Sequence, residues 1–381
     1  MHEVITGLLA GRPVAERETW RSLWDRLGDG TLGKEQAVAL LASLTTRLPG
    51  PDTLRALIES LHERRPAPGT AGAAEALGTG GAADALGSAG AVDTSGAVNI
   101  VGTGGGPATF NISTAAAFTA AACGVRVVKT GSRAYTSQLG SVDLLQRLGV
   151  RLTSSYAETA AALGRDGIAF AGPFVYPAEL TRLARTVLPL GMRPFGRFLN
   201  ALGPFLAELP VAAQVTGVSH AVPLDTLRAL AAAPAAGTGR RIWLTGNAHG
   251  ADELLGFSDN TVHTQEGQLD LKAGALTRGD GGFAQLRPVE PEEAPAHFLA
   301  VLSGAAHPVA VDTVCLNAAA LAVAAGHRAD WAAAVADARE AIASGAVRAL
   351  VERVSGAAAE AAGRRAARGP GRAPEPEVAR G

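Results

Sequence analysis

Cysteine is nearly missing from this chain: Cys123 and Cys315 are the only two in 381 residues. Two thiols are too few for a disulfide framework or a multi-thiolate metal centre. Net charge is almost absent too, since 34 basic residues meet 35 acidic ones for a formal −1. A near-neutral chain lacks a chain-wide electrostatic grip on nucleic acid, so no nucleic-acid partner is expected. No uninterrupted run of about 18 apolar residues occurs, which argues against a membrane span or membrane partner. The opening Met1-His2-Glu3-Val4 lacks a basic region followed by a long apolar run. No secretory signal is therefore expected, and the expected compartment is the cytoplasm.

Glycine and proline are abundant, at 47 and 21 residues, above average usage. Hydrophobic residues reach 47%, but alanine inflates that figure, because a methyl group covers little area.

Three apolar stripes open the chain. Trp20, Leu23, Trp24 and Leu27 form the first, Ala37, Leu40, Leu41, Leu44 and Leu48 the second, and Leu54, Leu57, Ile58 and Leu61 the third. Their three- and four-residue spacing predicts amphipathic helices and a small helical domain over 1–65. Such faces bury themselves within the domain or against a second subunit; a homodimer through this domain is the expectation. Residues 66–97 hold Gly, Ala, Pro, Ser and Thr with few large apolar side chains. That composition cannot offset its ordering entropy and predicts a flexible insertion. The segment 356–381 is similar and predicts a disordered tail.

Between these segments the pattern alternates. Strands are predicted at 98–101, 125–129, 167–170, 211–218 and 242–245, with helices at 112–123 and 138–148. Alternation of this kind defines an α/β domain over 98–355 with a mostly parallel sheet. Ligands of such sheets sit at the carboxyl ends of the strands.

Three such ends carry suggestive chemistry. The first strand runs into Gly102-Thr103-Gly104-Gly105-Gly106-Pro107, and Thr109-Phe110-Asn111-Ile112-Ser113-Thr114 opens a helix. Glycines let backbone approach an anion, and helix-start amides with hydroxyls favour phosphate. No Gly-Lys-Ser/Thr follows, so this is not a Walker loop, and Pro107 occupies the third glycine position of a dinucleotide fingerprint. Alone, the turn reads equally as a tight bend needing small residues. The second strand ends in Val128-Lys129-Thr130-Gly131-Ser132-Arg133, followed by Thr136-Ser137 and Gly140-Ser141. Cations interleaved with hydroxyls fit a phosphate or pyrophosphate cradle; surface cations are the bland reading. Third, Asp252-Glu253 follows the strand Ile242–Thr245. Adjacent carboxylates there suit magnesium, which keeps phosphate and water ligands, or are simply solvated.

Taken in order, these segments resemble the anthranilate phosphoribosyltransferase family, within the wider group that includes pyrimidine nucleoside phosphorylases. The glycine loop resembles its GTGGD turn, Asn111–Thr114 its NIST helix start, Lys129–Arg133 its KHGNR run and Gly140–Asp143 its GSSD segment. Asp252-Glu253 matches its acidic pair, and Leu316–Ala320 and Ala338–Gly345 also resemble the family. The resemblance runs from the N-terminal helices to about Val354, with 66–97 as an insertion.

The resemblance implies a helical domain beside an α/β domain, with the site in the cleft between them. It implies phosphoribosyl pyrophosphate as donor, a small-molecule acceptor and Mg2+ as cofactor. The donor would be cradled by Gly102, Gly104, Gly105 and Thr109, by Asn111, Ser113 and Thr114, and by Lys129, Gly131, Ser137 and Ser141. Lys129 and Arg133 would be catalytic, and Ser113, Asp252 and Glu253 would hold the metal. Thr130, Ser132 and Arg185 would contact the acceptor.

Departures cluster on the acceptor side. Thr130 and Ser132 replace the His and Asn of KHGNR, and Tyr176-Pro177-Ala178-Glu179 replaces a HPAM-like run. Arg185 is displaced by about one position from the family's acceptor Arg. Leu190–Asn200 resembles a non-catalytic, nucleic-acid-binding sister branch, and Gly106 replaces the acid of GTGGD. Four readings follow. The acceptor is anthranilate, as in tryptophan biosynthesis, or it is a different acceptor of specialised metabolism, such as an aminoglycoside hydroxyl with Glu179 as general base. Otherwise the chain is a nucleic-acid-binding relative or a nucleoside phosphorylase.

Overall fold

The fold is described from a computed structural model over residues 2–64, 96–131, 139–190 and 193–367. Helices α1 (His2–Leu9), α2 (Arg17–Gly28), α3 (Lys34–Thr46) and α4 (Pro51–His62) come first. The predicted stripes are their buried faces. Trp20 and Trp24 stack at 6.0 Å between centroids. Each indole N–H finds an acceptor, Val14 O at 2.9 Å and Ser60 Oγ at 2.9 Å, as buried tryptophans require.

The chain continues through β1 (Val98–Gly102), α5 (Ile112–Ala122), β2 (Val127–Thr130), α6 (Ser141–Arg147), α7 (Tyr156–Asp166) and β3 (Ile168–Ala171). Next come α8 (Ala178–Thr186), α9 (Gly196–Leu206), β4 (Ala213–Gly217), α10 (Leu224–Thr238) and β5 (Arg241–Asn247). A hairpin, β6 (Asn260–His263) and β7 (Gln268–Leu271), precedes α11 (Ala294–Leu302), α12 (Pro308–Ala324), α13 (Trp331–Ala343) and α14 (Ala346–Ala367). The sheet order is β3-β2-β1-β4-β5-β6-β7. The pairs from β3 to β5 are parallel and the last two antiparallel. The mostly parallel sheet is as expected. The hairpin leaves little trace in the sequence, because β7 is short and largely exposed and gives no apolar run.

Period-2 alternation divides the sheet. Val127, Ile168, Phe170, Val215 and Trp243 face a core shared with α5 and α11–α14. Ile242 and Leu244 face a second core, in which α2–α4 pack with α8, α9 and α10. The first helices are therefore not a self-contained bundle, since later helices complete their core. Alanine does more than inflate the composition: nearly every alanine of α5 and α12 is buried where the two helices pack. Small side chains there let the axes approach.

Helix α14 runs to Ala367, past Gly356, where the sequence predicts the tail to begin. Alanine's helix propensity extends the element. Most of the predicted insertion and the last stretch of the tail lie outside the described residues. Among the described residues no helix is long and apolar enough to cross a membrane.

Candidate active site

Strand order reverses between β1 and β4, which pair from Val98↔Ala213 to Gly102↔Gly217. A crevice opens at such a switch point. Here it receives the glycine loop after β1, the end of β2, and the turn after β5 that carries Asp252 and Glu253.

Gly104 and Gly105 take φ of 62° and 81°, a left-handed backbone that glycine adopts at low cost. The turn is locked from two sides. Gly104 N–H donates to Asp252 Oδ2 at 2.8 Å, and Ser219 Oγ donates to Gly104 O at 2.6 Å. Close approach also fixes small residues nearby. A Cβ on Gly102 would lie 2.1 Å from Asp252 Oδ2, and one on Gly217 would lie 1.6 Å from the Asp252 carbonyl oxygen. At Gly106 a Cβ would stand 2.5 Å from the Gly250 carbonyl oxygen. The loop thus packs against the 250–251 turn in space that a family-type aspartate would need.

Thr109 Oγ1 donates to Glu253 Oε1 at 3.0 Å, while buried Glu253 Oε2 has no hydrogen-bond partner. Burial raises the proton affinity of Asp252, against the pull of the Gly104 N–H. Burial, then the adjacent Asp252 charge, push Glu253 well above the usual carboxylate range. Lys129 is only 3% exposed. Its ammonium donates to Ile100 O at 3.1 Å and Thr130 O at 3.2 Å. Burial brings it down to about 8, with Asp252 and Glu253 acting in the opposite sense. A cation between the carboxylates and an incoming anion would relieve both strained charges. Among the described residues no third His, Cys, Asp or Glu joins the pair in a metal-holding group. The pair therefore suits a cation that completes its shell with phosphate and water.

These groups line a cavity of about 420 Å³. Of the predicted donor residues, Gly102, Gly104, Gly105, Thr109, Asn111, Ser113, Lys129, Gly131 and Ser141 line it, together with Asp252 and Glu253. Thr114 does not line it: it is fully buried, with its hydroxyl unpartnered. Ser132, Arg133 and Ser137 lie outside the described residues. Thr130 lines the cavity, but its hydroxyl accepts from Asn99 Nδ2 at 3.4 Å, and Asn99 also bonds Gln214 at 3.2 Å. This buried polar ladder beneath the site holds Thr130 in the sheet.

A second cavity of about 430 Å³ shares Val101, Gly102, Gly131 and Asn200 with the first. Its far wall is Tyr176 with Leu180, Thr181 and Ala184 of α8. Two residues expected on the acceptor side lie away from both linings. Arg185 is exposed and lines neither cavity, because it sits about 100° around the helix from Ala184. Glu179 is buried away from both cavities, where Arg64 Nε donates to it at 3.2 Å and Arg182 at 3.4 Å. It is not placed to serve as a general base.

Sequence reasoning missed Ser219, Asn200 and His297. Ser219 follows β4, and the carboxyl-end rule marks that position. His297 lines the first cavity and meets the Phe110 ring edge-on at 5.2 Å. Nothing local in α11 signals it.

A mostly parallel sheet with a glycine-loop and acid-pair crevice at its switch point is the arrangement of an α/β domain built to take a ligand at its strand ends. Residues 94–348 match the Glycosyl transferase family, a/b domain. Anthranilate phosphoribosyltransferase of Methylorubrum extorquens is 32% identical over 354 residues, covering 91% of this chain and 95% of that protein. Its counterpart from Geobacillus kaustophilus is 34% identical over 249 residues, 63% of this chain and 70% of the relative. The crystal structure of anthranilate phosphoribosyltransferase from Thermus thermophilus superposes with a TM-score of 0.72 at 29% identity, covering 93% and 98% of the two chains. The Saccharomyces cerevisiae enzyme in complex with PRPP and Mg shares the fold, with a TM-score of 0.64 at 19% identity over 90% and 98%. The chain belongs to the anthranilate phosphoribosyltransferase family.

Proposed function

We propose that the protein transfers the 5-phosphoribosyl group from phosphoribosyl pyrophosphate to a small-molecule acceptor, releasing pyrophosphate. The observation that carries the reading is the convergence of the glycine loop, Lys129 and the Asp252–Glu253 pair on one cavity, with a second cavity joined to it at Gly102 and Gly131. The glycine loop and the start of α5 would bind the donor through Gly102, Gly104, Gly105, Thr109, Asn111 and Ser113. Ser141 would add a hydroxyl. Asp252, Glu253 and Ser113 would hold Mg2+, and the unpartnered Glu253 Oε2 fits that role. The metal, when bound, supplies positive charge to the departing pyrophosphate.

The acceptor's lone pair forms a bond to ribose C1, and the C1–oxygen bond to pyrophosphate breaks, its electron pair leaving with the pyrophosphate. The acceptor's proton passes to solvent. Lys129 and the loop amides would stabilise the growing negative charge. The apolar wall of the second cavity would hold the acceptor near C1 and keep water out. Sequence reasoning adds Arg133 as a second catalytic cation and Ser137 as a donor contact.

The test is pyrophosphate release from labelled donor in the presence of a panel of amine and hydroxyl acceptors that includes anthranilate, with and without Mg2+, in wild type and in Asp252→Asn/Glu253→Gln. Release should require Mg2+ and be lost in the double variant, while its circular dichroism stays native. Undiminished release by the double variant would sink the metal assignment.

A further inference from the structure

A row of buried amides runs beneath the junction of the two cavities. Val98, Ile100, Ala213 and Val215 point into the core shared with α5, so alternation turns Asn99 of β1 and Gln214 of β4 to the opposite face of the sheet. The two are neighbours in register, and both are fully buried. Asn99 Nδ2 donates to Gln214 Oε1 at 3.2 Å, and the Thr130 N–H donates to Asn99 Oδ1 at 3.2 Å. Gln214 Nε2 in turn donates to Pro204 O of α9 at 3.0 Å and to Thr216 Oγ1 at 2.9 Å. The row thus starts at the end of β2 and finishes on α9.

Among the described residues the two cavities share Val101, Gly102, Gly131 and Asn200. Each stands beside a member of the row. Val101 and Gly102 continue β1 past Asn99, Gly131 follows Thr130, and Asn200 lies one helical turn before Pro204. At that turn α9 is weakened from within, since Pro204 has no N–H to offer the Asn200 carbonyl. Gln214 supplies a hold from outside the helix. Asn200 itself lies close against the glycine loop: a Cβ on Gly104 would stand 2.8 Å from Asn200 Nδ2. Buried amides are costly unless bonded. Bonded at both ends, they fix one spacing where apolar side chains would allow several.

We infer that Asn99 and Gln214 are positioning residues for this junction: they fix the spacing between the end of β2 and α9, and with it the distance from ribose C1 of the donor to the acceptor's nucleophile. This rests on the phosphoribosyl-transfer reading above. Neither residue lines a cavity, so both act through Gly131 and Asn200. A loosened junction would admit water beside C1. The C1–oxygen bond then breaks as before and its electron pair leaves with pyrophosphate, while the oxygen of water bonds to C1 and gives up a proton, leaving ribose 5-phosphate.

The test uses the full chain with Mg2+, labelled phosphoribosyl pyrophosphate and whichever acceptor of the panel above turns over fastest. If no acceptor drives release in wild type, the transfer reading itself fails. Three quantities are read: donor Kd by calorimetry, acceptor KM at saturating donor, and pyrophosphate released per acceptor ribosylated. None depends on how much of a preparation is folded, so a loss of stability alone leaves all three unchanged. Gln214→Met keeps the length of the side chain and removes its hydrogen bonds. It should raise the acceptor KM by about tenfold or more and the release per transfer by roughly threefold or more, with donor Kd moving less than about threefold, because misplaced reactants are slow to react. Gln214→Leu should do the same. Thr216→Val removes the other acceptor of the Gln214 amide and leaves the bond to Pro204, so all three quantities should stay at their wild-type values even if its denaturation midpoint falls. An acceptor KM and release ratio unchanged in a folded Gln214 variant, or changed equally in Thr216→Val, would overturn the inference. So would failure of both Gln214 variants to fold, which would make the pair a stability element alone.

Discussion

Lys129 concentrates the electrostatics of the site in one side chain. Its pKa falls from 10.5 to about 8 because it is buried, so the folded chain releases this proton before the unfolded chain does. Below about pH 8 both states carry the charge and the burial penalty is borne in full. Between 8 and 10.5 the unfolded chain binds more protons, and stability contributed by this group rises with pH. On the proposed reading donor binding should show the opposite trend, since an ammonium, not an amine, would attract pyrophosphate. Donor affinity should be flat below about pH 8 and fall by up to tenfold per pH unit above it. Lys129→Met should remove that fall and weaken donor binding by about 1–3 kcal/mol, the cost of a hydrogen bond to a charged group. Calorimetric titration across pH 6–10 checks both. A variant that keeps the wild-type alkaline fall would assign the titration to another group.

At the scale of elements, glycine decides how closely β1 and β4 approach the acid-pair turn. Gly102→Ala would drive a methyl into the Asp252 carboxylate, while Gly217→Ala would strike the Asp252 backbone. A side chain can rotate where a backbone must shift. We expect Gly102→Ala to fold with near-native stability but to lose Mg2+-dependent donor binding by tenfold or more. Gly217→Ala should cost about 1–3 kcal/mol or more by urea denaturation, as overpacking does. The reverse ranking would mean that Asp252 has no freedom to yield. The same elements show how much was readable in advance. The strand at 167–170 is legible as an apolar run because both faces of the sheet are covered. The glycine loop, Lys129 and Asp252-Glu253 were legible because each is a local motif at a strand's carboxyl end. The second cavity was not, because its wall combines Gln146, Tyr176, α8 and α9, which only tertiary packing brings together. On α8 the issue turned on register: one residue separates Ala184 on the wall from Arg185 on the surface, a difference that spacing alone does not resolve.

Across the whole molecule, the helical layer is tied to the wall of the second cavity through Glu179. Arg64, just beyond α4, donates to Glu179 and also pairs with Asp25 of α2, and Arg182 approaches Glu179 from within α8. Below this network α2–α4 share a core with α8–α10. Movement of the first helices would therefore carry the α8 wall of the second cavity with it. Glu179 is 5% exposed, so removing its charge leaves Arg64 facing a neutral group in a partly buried place. Glu179→Gln should cost about 1–3 kcal/mol of stability and raise the KM for the acceptor, because the α8 wall is held less firmly. The donor's KM and the dependence of kcat on pH should stay as in wild type, since Glu179 lines neither cavity. Denaturation midpoints together with the two KM values and a pH–kcat profile make the check. If kcat fell by a hundredfold or more with stability and both KM values unchanged, Glu179 would be acting as a base in the reaction, and the anchoring role drawn from its arginine partners would be wrong.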